Sequence, residues 1–153
     1  MILWRLTRSA YTALDGAGPM AHGGRYSSPG LPVVNFTSEA ALAVLVTLRY
    51  LPADLAGVSD DYLLGYTEID ADPEWIADLN AHENPRTWGD DWLKSGRSLL
   101  AATPSAVLPE ADLVMMNPRH PDAAKVTPLI YRKFDFATCL HRPPMLGKFE
   151  EKP

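Results

Sequence analysis

The sequence has 153 residues, of which 46% are hydrophobic and 22% are charged, a composition that fits one globular domain and excludes a disordered chain. Nineteen Asp and Glu residues against fourteen Lys and Arg residues give a net charge of −5, which argues against direct nucleic-acid binding, because that needs a basic surface. No apolar run approaches the roughly 20 residues of a membrane helix, and no secretion signal pattern is present, so we expect a cytoplasmic protein without a membrane segment.

The N-terminal part of the chain combines a predicted strand with segments rich in glycine and proline. Residues 2–6 are typical of a strand, and Ser9 is expected to cap a short helix that ends near residue 14. The run Asp-Gly-Ala-Gly-Pro at 15–19 is expected to break regular structure. A long ordered loop or a pair of turns is expected over residues 22–32, and such loops often carry functional residues.

A buried strand and a central helix are predicted next. Residues 32–36, Pro-Val-Val-Asn-Phe, are typical of a buried strand. Ser38 is expected to cap a helix over residues 39–50, with Glu39 at its positive N-terminal end. Because residues 40–48 are apolar on every side, we expect this helix to be buried on most sides at the centre of the fold.

The remaining chain is predicted to supply more strands and two short helices. The predicted strands are at residues 62–69, 98–102, 113–116 and 131–136, and the helices are at 73–80 and 87–95. This irregular order predicts an α+β (mixed α/β) fold, a compact single domain with a central sheet core and a buried central helix. We expect this domain to span residues 1–141, followed by a C-terminal tail at 142–153 that is mobile or bound to a partner.

The motifs of several common enzyme classes are missing from the sequence. The four histidines are widely spaced and none pairs with a second ligand one helical turn away, so we expect no metal site. The phosphate-binding loop, the dinucleotide-binding glycine motif and the nucleophile elbow are also absent. The single cysteine, Cys139, excludes an intrachain disulfide and has no flanking pattern of a nucleophile.

Gly23-Gly24-Arg25-Tyr26 is the first of three segments that suggest a binding site. Two glycines allow the backbone to approach a ligand closely. Arg25 offers a planar fork of donors for phosphate or carboxylate, and Tyr26 offers a ring that can stack on a base or on nicotinamide. The same pattern also fits a solvent-exposed hairpin turn.

The other two segments follow predicted strands. Ser105, within Thr-Pro-Ser-Ala-Val at 103–107, would place a hydroxyl beside a cleft at a strand end, although a turn or capping serine fits as well. Asn117 begins the turn Asn-Pro-Arg-His-Pro at 117–121. Its amide either serves a site or ties that turn together.

In their order and spacing, these segments resemble the RES domain, the toxin half of bacterial Xre–RES toxin–antitoxin pairs. The resemblance covers nearly the whole chain. The segments that carry it are Leu-Trp-Arg at 3–5, Gly-Gly-Arg-Tyr-Ser-Ser-Pro-Gly at 23–30, Pro-Val-Val at 32–34, the central helix, Gly-Asp-Asp-Trp-Leu at 89–93, Pro-Ser-Ala-Val at 104–107 and Asn-Pro-Arg-His-Pro-Asp at 117–122.

This resemblance implies a fold like that of ADP-ribosyltransferase toxins and an activity that consumes NAD by cleaving the nicotinamide–ribose bond. The ADP-ribosyl group would pass to water, phosphate or a target protein. The residues that it implies for NAD binding are Arg5, Arg25, Tyr26, Asn35, Ser105 and Asn117, with Arg25 and Ser105 as catalytic candidates. It also implies an Xre-type helix-turn-helix antitoxin as the partner, with which an oligomer would form.

The central helix departs from the family pattern. The position of the family's glutamate corresponds to Leu45 or, with a shift of one or two residues, to Val46 or Thr47, and none of these is acidic. Asn35 stands where the family has a tyrosine, and Glu68 is a candidate replacement for the missing carboxylate. Three hypotheses remain: an active NAD-cleaving or ADP-ribosylating toxin with a rearranged site, a RES-like binding or interaction module without catalysis, or an unrelated structural α+β domain.

Overall fold

A seven-stranded mixed sheet runs through the protein in a computed structural model, which describes residues 1–52, 57–58 and 60–140. The tail predicted at 142–153 therefore lies outside the described residues. The strands are β1 (Ile2–Arg8), β2 (Val34–Thr37), β3 (Tyr62–Glu68), β4 (Glu74–Trp75), β5 (Leu100–Pro104), β6 (Asp112–Met116) and β7 (Ile130–Lys133). The helices are α1 (Ala17–His22), α2 (Ala40–Leu48), α3 (Pro85–Ser95) and α4 (Phe136–Leu140).

The strand order in the sheet is β4-β5-β6-β2-β1-β3-β7. The short strand β4 runs parallel to β5, and the other neighbouring strands are antiparallel. Helices and strands do not alternate regularly along the chain, so the predicted α+β fold with a central sheet is confirmed.

The two faces of the sheet carry separate hydrophobic clusters, because successive side chains of a strand point to opposite faces. One face carries a core that includes Leu3, Phe36 and Met116. The opposite face carries two clusters, one beneath α3 around Trp92 and one beneath α2 around Leu64. Between these two clusters, the surface of the sheet is open and contributes to a cleft.

The two central strands, β1 and β2, separate from each other along their length. β1 pairs with β3 from end to end, and β2 pairs with β6 from end to end. Between β1 and β2, which are described throughout, the single registered pair is Trp4 with Thr37. A gap therefore opens in the middle of the sheet beyond that pair, with Arg5 on one side and Asn35 on the other.

The chain before β2 folds differently from the prediction. The helix expected from Ser9 is a single 3-10 turn at Ser9–Tyr11 without a side-chain cap, and the predicted break at 15–19 becomes the start of α1. Gly16 precedes this helix with φ 68°, and the Asp15 carboxylate accepts a hydrogen bond from the Ala17 amide at 3.0 Å. Pro19 is tolerated because it lies in the first turn, where backbone amides have no helical partner.

Residues 73–80 do not form the predicted helix. They contain β4 and a 3-10 turn at Leu79–Ala81. The segment pairs with the edge of the sheet instead, because the Ile76 amide donates a hydrogen bond to the Ala102 carbonyl of β5 at 2.9 Å. The last strand predicted, at 131–136, is divided in the structure between β7 and the start of α4.

Helix α2 is not buried on most sides, contrary to the prediction. Leu42 and Ala43 are its buried residues, whereas Leu45 is 40% exposed. One side of the helix packs on β1 and β2. The helix is therefore more apolar in sequence than this one-sided packing requires. Ser38 does not cap it either, because its hydroxyl accepts a hydrogen bond from the Asp112 amide at 2.9 Å.

Candidate functional site

A cleft of about 710 Å³ lies between the loop at residues 23–26 and helix α2. Its size falls in the range of small-molecule sites. Val46, Thr47 and Tyr50 line it on the α2 side, and β2 and β6 contribute its floor. The cleft also reaches Arg5 and Asn35, so it continues into the gap between β1 and β2.

The loop at 23–26 has a fixed conformation rather than that of a free hairpin turn. Gly23 has φ 71°, and a Cβ at this position would lie 2.9 Å from Cδ of Pro29, so a side chain is excluded there. The Gly24 amide donates to the Ser27 carbonyl at 2.8 Å. The Gly24 carbonyl accepts from the Arg86 guanidinium at 2.8 Å. Both glycines therefore contribute to the shape of the wall.

Helix α3 supports the loop at 23–26 through hydrogen bonds and close packing. The Asp90 carboxylate accepts hydrogen bonds from the Ser28 amide at 2.7 Å and from the Ser28 hydroxyl at 2.5 Å. Gly89 lies directly against the backbone of Tyr26. Trp92 is fully buried and donates from Nε1 to the Ser98 hydroxyl at 2.8 Å. The Gly-Asp-Asp-Trp segment at 89–92 thus acts as the support of the arginine-bearing loop.

Asn80 is a site residue that the sequence reasoning missed. Its Oδ1 accepts hydrogen bonds from Nε of Arg25 at 3.2 Å and from the Tyr26 hydroxyl at 2.5 Å. Its Nδ2 donates to the carbonyl of Pro104 at 2.7 Å. Asn80 therefore ties the loop to the end of β5, next to Ser105. A single asparagine more than 50 residues from Arg25 and Tyr26 carries no sequence signal of this role.

Tyr26 presents a neutral phenol to the cleft. Burial raises the pKa of its hydroxyl and outweighs the opposing effect of the adjacent Arg25 guanidinium, while Tyr50 raises that pKa further. Tyr50, which follows α2, lines the same cleft as Tyr26. The Arg25 guanidinium lies 5.8 Å from the centre of the Tyr26 ring, an arrangement that fits a cation–π contact.

Arg5 belongs to β1, beside the gap between β1 and β2, and contributes to the cleft lining. Its Nη1 donates to the Ala13 carbonyl at 3.3 Å. Burial lowers the pKa of Arg5, and the neighbouring Tyr131 and Asp15 raise it. An arginine keeps its proton at neutral pH, so Arg5 places a partly buried positive charge beside the cleft.

The remaining predicted site residues occupy different surroundings. Ser105 is buried and lines the cleft. Its Oγ accepts a hydrogen bond from the Val107 amide at 3.1 Å. The same serine therefore stabilises a turn and contributes to the cleft, so both predicted alternatives apply. Asn35 lines the cleft and is exposed.

Asn117 does not reach the cleft lining. It is 1% exposed, its Nδ2 donates to the Leu93 carbonyl at 3.0 Å, and its Oδ1 accepts from the Arg119 amide at 3.0 Å. The amide of Asn117 therefore ties its own turn to the end of α3, which is the structural alternative that the sequence left open.

The described residues that line the cleft include three arginines and neither Asp nor Glu. The arginines are Arg5, Arg25 and Arg49, of which the last follows α2 directly. In a chain of net charge −5, this is a local concentration of positive charge, which favours an anionic ligand.

The three candidate positions for the family's glutamate differ in orientation. Val46 and Thr47 line the cleft, whereas Leu45 is exposed and lies outside the lining. Thr47 donates its hydroxyl to the Ala43 carbonyl at 2.8 Å, within the helix. Glu68, the candidate replacement, is paired with Ile2 at the start of β1 and does not line the cleft.

The described part of the chain contains neither a membrane helix nor a clustered metal site. Within residues 1–52, 57–58 and 60–140, no helix has the length and apolar character needed to cross a membrane. In the same residues, no group of three His, Cys, Asp or Glu side chains is arranged to hold a metal ion.

A model of the protein family described as the RES domain matches residues 2–137. The chain belongs to the RES domain family. The match includes the loop at 23–26, α2, α3 and Ser105, so the resemblance drawn from the motifs is confirmed.

Relatives of this RES chain carry toxin names. Toxin Res of Photorhabdus laumondii is 31% identical over 153 residues, which cover 89% of this chain and 93% of that protein. Toxin Res of Pseudomonas putida is 35% identical over 133 residues, covering 80% and 88%. The Prs ADP-ribosylating toxin of a Sphingobium species is 29% identical over 160 residues, covering 95% and 96%.

A solved structure shares the fold of this RES domain. It is the crystal structure of the M. tuberculosis MbcT–MbcA toxin–antitoxin complex, one chain of which superposes with a TM-score of 0.58. The superposition covers 86% of this chain and 84% of that chain at 18% sequence identity, so it supports the architecture.

Proposed function

We propose that this RES domain is the toxin of a toxin–antitoxin pair and that it binds NAD in the cleft between residues 23–26 and α2. The observation that carries the proposal is the pair formed by Arg5, at the gap in the sheet, and Arg25, on the facing loop, in a cleft whose described lining has no acidic residue. Two guanidinium groups match the two negative charges of a dinucleotide's diphosphate. The relatives named as toxins, one of them as ADP-ribosylating, support the same conclusion.

The proposed reaction breaks the bond between nicotinamide and ribose. Nicotinamide leaves with the bonding electron pair and becomes neutral, and the ribose carbon then accepts an oxygen from water, phosphate or a protein side chain, which loses a proton. The positive charge moves from the nicotinamide ring to the ribose as the bond breaks, so the rate depends on groups that are already oriented to stabilise it. We assign to Arg25 the orientation of the diphosphate and to Ser105 a hydrogen bond to the nicotinamide ribose or carboxamide.

A second candidate is a RES-like module that binds NAD without cleaving it. The observation that favours it is that Val46 and Thr47, two of the candidate positions for the family's glutamate, line the cleft without a carboxylate. Removal of a group that stabilises charge in the transition state costs orders of magnitude in rate. The two candidates share the binding site and differ in turnover.

The proposed partner is an Xre-type helix-turn-helix antitoxin. The fold shared with a chain of the MbcT–MbcA toxin–antitoxin complex supports an antitoxin partner, and the family resemblance implies that this partner is of the Xre type. Production of the toxin and antitoxin together, followed by size-exclusion chromatography, tests this proposal, and two separately eluting proteins would contradict it.

The enzymatic proposal is tested by incubating the purified RES domain with NAD and measuring free nicotinamide by chromatography, with calorimetry for binding. Release above a no-protein control, lost in Arg25→Ala and retained in Arg132→Ala, supports an active toxin. Arg132 is exposed on β7 and does not line the cleft, so it controls for the change in net charge. Binding of NAD without release supports the second candidate, and absence of binding overturns both.

A further inference from the structure

Arg5 meets a paired strand on one side of β1 and the gap in the sheet on the other. Between β1 and β2, both of which are described in full, the registered pair is Trp4 with Thr37, and β2 offers no partner to Arg5. On the β3 side, Arg5 is paired with Gly65. The contacts that orient the Arg5 side chain across the sheet therefore come from the β3 side.

Gly65 connects Arg5 to Tyr131 of β7 in one row across three strands. Arg5 is paired with Gly65 and Gly65 with Tyr131, so the three residues share one face of the sheet. A Cβ at Gly65 would overlap Cδ1 of the Tyr131 ring and would lie 2.5 Å from its Cε1. Because residue 65 has no side chain, the ring of Tyr131 covers the backbone of β3 on the way to Arg5.

The side chains of Tyr131 and Arg5 are bonded to two consecutive carbonyls of the same segment. The Tyr131 hydroxyl donates to the Thr12 carbonyl at 3.3 Å, and Nη1 of Arg5 donates to the Ala13 carbonyl at 3.3 Å. Burial raises the pKa of the Tyr131 hydroxyl and the Arg5 guanidinium lowers it, which agrees with this proximity. Tyr131 therefore both packs beside Arg5 and fixes the segment to which Arg5 is bonded.

Of the three residues in this row, Arg5 lines the cleft, whereas Gly65 and Tyr131 are absent from its described lining. We propose that Tyr131 is a positioning residue of the dinucleotide site: it holds the Arg5 guanidinium beside the gap in the sheet, and Gly65 leaves the space for its ring. A guanidinium that is already held in place loses less freedom when it binds a diphosphate. The inference rests on the proposed NAD site and is independent of whether the bond to nicotinamide is cleaved.

Calorimetry with ADP-ribose tests this role, because ADP-ribose keeps the diphosphate and has no nicotinamide to lose. Tyr131→Phe keeps the ring and removes the hydrogen bond to Thr12, so we expect the dissociation constant to rise about threefold. Tyr131→Ala also removes the ring and leaves Arg5 without its support, and a rise of about tenfold is expected, as for a lost hydrogen bond to a charged group.

Gly65→Ala tests the space for the ring. Its Cβ would displace Tyr131, so we expect it to weaken ADP-ribose binding as much as Tyr131→Ala does. The double variant Gly65→Ala/Tyr131→Ala is expected to bind no more weakly than Tyr131→Ala alone, because the ring supplies the three atoms closest to that Cβ. Tyr66→Phe is the matched control, since it removes a hydroxyl from the opposite face of β3, outside the cleft lining, and is expected to bind like the wild type.

A double-mutant cycle with Arg5 separates positioning from a general loss of structure. Arg5→Ala is expected to weaken ADP-ribose binding about tenfold. Adding Tyr131→Ala to Arg5→Ala should then change the dissociation constant by less than about twofold, because the group that Tyr131 positions is gone. Urea unfolding identifies the folded variants, and Tyr131→Phe takes the place of Tyr131→Ala in the cycle if the alanine variant does not fold.

Two results overturn this inference and leave the proposed function intact. One is wild-type affinity in folded Tyr131→Ala and Gly65→Ala while Arg5→Ala binds weakly. The other is an effect of Tyr131→Ala that is as large in the Arg5→Ala background as in the wild type. A wild-type protein that binds neither ADP-ribose nor NAD overturns the proposed function and the inference together.

Discussion

Gly89 of α3 lies so close to the backbone carbonyl of Tyr26 that a Cβ at residue 89 would overlap the carbonyl oxygen and approach the carbonyl carbon to 2.8 Å. Backbone atoms on both sides prevent an easy adjustment. The contact joins the support helix to the arginine-bearing loop. The loop at 23–26 can therefore pack against α3 only because residue 89 has no side chain.

Gly89→Ala is expected to destabilise the protein by about 3 kcal/mol, at the upper end of overpacking costs, because backbone cannot rotate away as a side chain can. Urea unfolding at pH 7 measures this change. Gly18→Ala is the matched control, since a Cβ at Gly18 in α1 meets nothing within 4 Å, and it is expected to stabilise by about 0.5–1 kcal/mol. Equal effects of the two substitutions would contradict the proposed packing constraint.

Asn80 orients the loop through its single side-chain oxygen. Asn80→Ala removes the acceptor for Arg25 and Tyr26 and the donor to Pro104, and we expect it to weaken NAD binding about tenfold, as for a lost hydrogen bond to a charged group. Tyr26→Phe removes one of these bonds and is expected to have a smaller effect. Calorimetry with NAD and urea unfolding, measured on the same variants, separate weaker binding from loss of stability.

A positioning role for Asn80 predicts that Asn80→Asp, which keeps an acceptor for Arg25 but loses the donor to the Pro104 carbonyl, restores part of the binding that Asn80→Ala loses. If the aspartate and alanine variants bind NAD equally weakly while both stay folded, the oxygen of Asn80 does not orient Arg25.

Glu74 on β4 makes two hydrogen bonds with the Arg97 guanidinium, at 2.8 and 2.9 Å. This guanidinium holds the pKa of Glu74 below its usual range. The stabilisation is therefore fully present above the unfolded-state pKa of about 4.3 and is lost as pH falls through the lower folded-state pKa. Both side chains are partly exposed, so Glu74→Gln is expected to cost about 0.5–1 kcal/mol at pH 7.

The difference in unfolding free energy between the wild type and Glu74→Gln should shrink towards zero at about pH 3, below the usual glutamate pKa. Urea unfolding of both proteins at the two pH values measures it. A difference that stays constant between these pH values would show that the charge of Glu74 does not stabilise the sheet edge.

The sequence allowed the fold class and the loop at 23–26 to be predicted, because hydrophobic patterns and glycine spacing are local signals. Segment 73–80 was mispredicted since its helical composition is overridden by hydrogen bonds from β5, a partner distant in sequence. Helix α1 was missed because its start depends on a particular backbone angle at Gly16 and on the Asp15 carboxylate. Both errors come from tertiary or cap geometry that composition does not encode.

The site itself was only partly predictable for the same reason. Arg5, Arg25, Tyr26, Asn35 and Ser105 do line one cleft, whereas Asn117 ties a turn outside its lining. Asn80 and Arg49 have no motif around them, and Asn80 reaches Arg25 and Tyr26 only once distant segments have packed. The orientation of residues 45–47 also needed the structure, since one residue along a helix turns a side chain by about 100°.

The orientation of residues 45–47 on α2 leads to a gain-of-function prediction. Val46 lines the cleft and Leu45, its neighbour, is exposed outside it. If the proposed NAD site lacks only a carboxylate, Val46→Glu places one on the α2 wall opposite the loop, where it can stabilise positive charge on the ribose, and we expect nicotinamide release to rise at least about tenfold. Leu45→Glu adds the same charge to the same helix outside the cleft and is expected to leave release at the wild-type level. Release is measured by chromatography at saturating NAD, and urea unfolding shows that both variants are folded. An equal rise in both variants, or no rise in folded Val46→Glu that still binds NAD, would show that the apolar α2 wall is not what limits turnover.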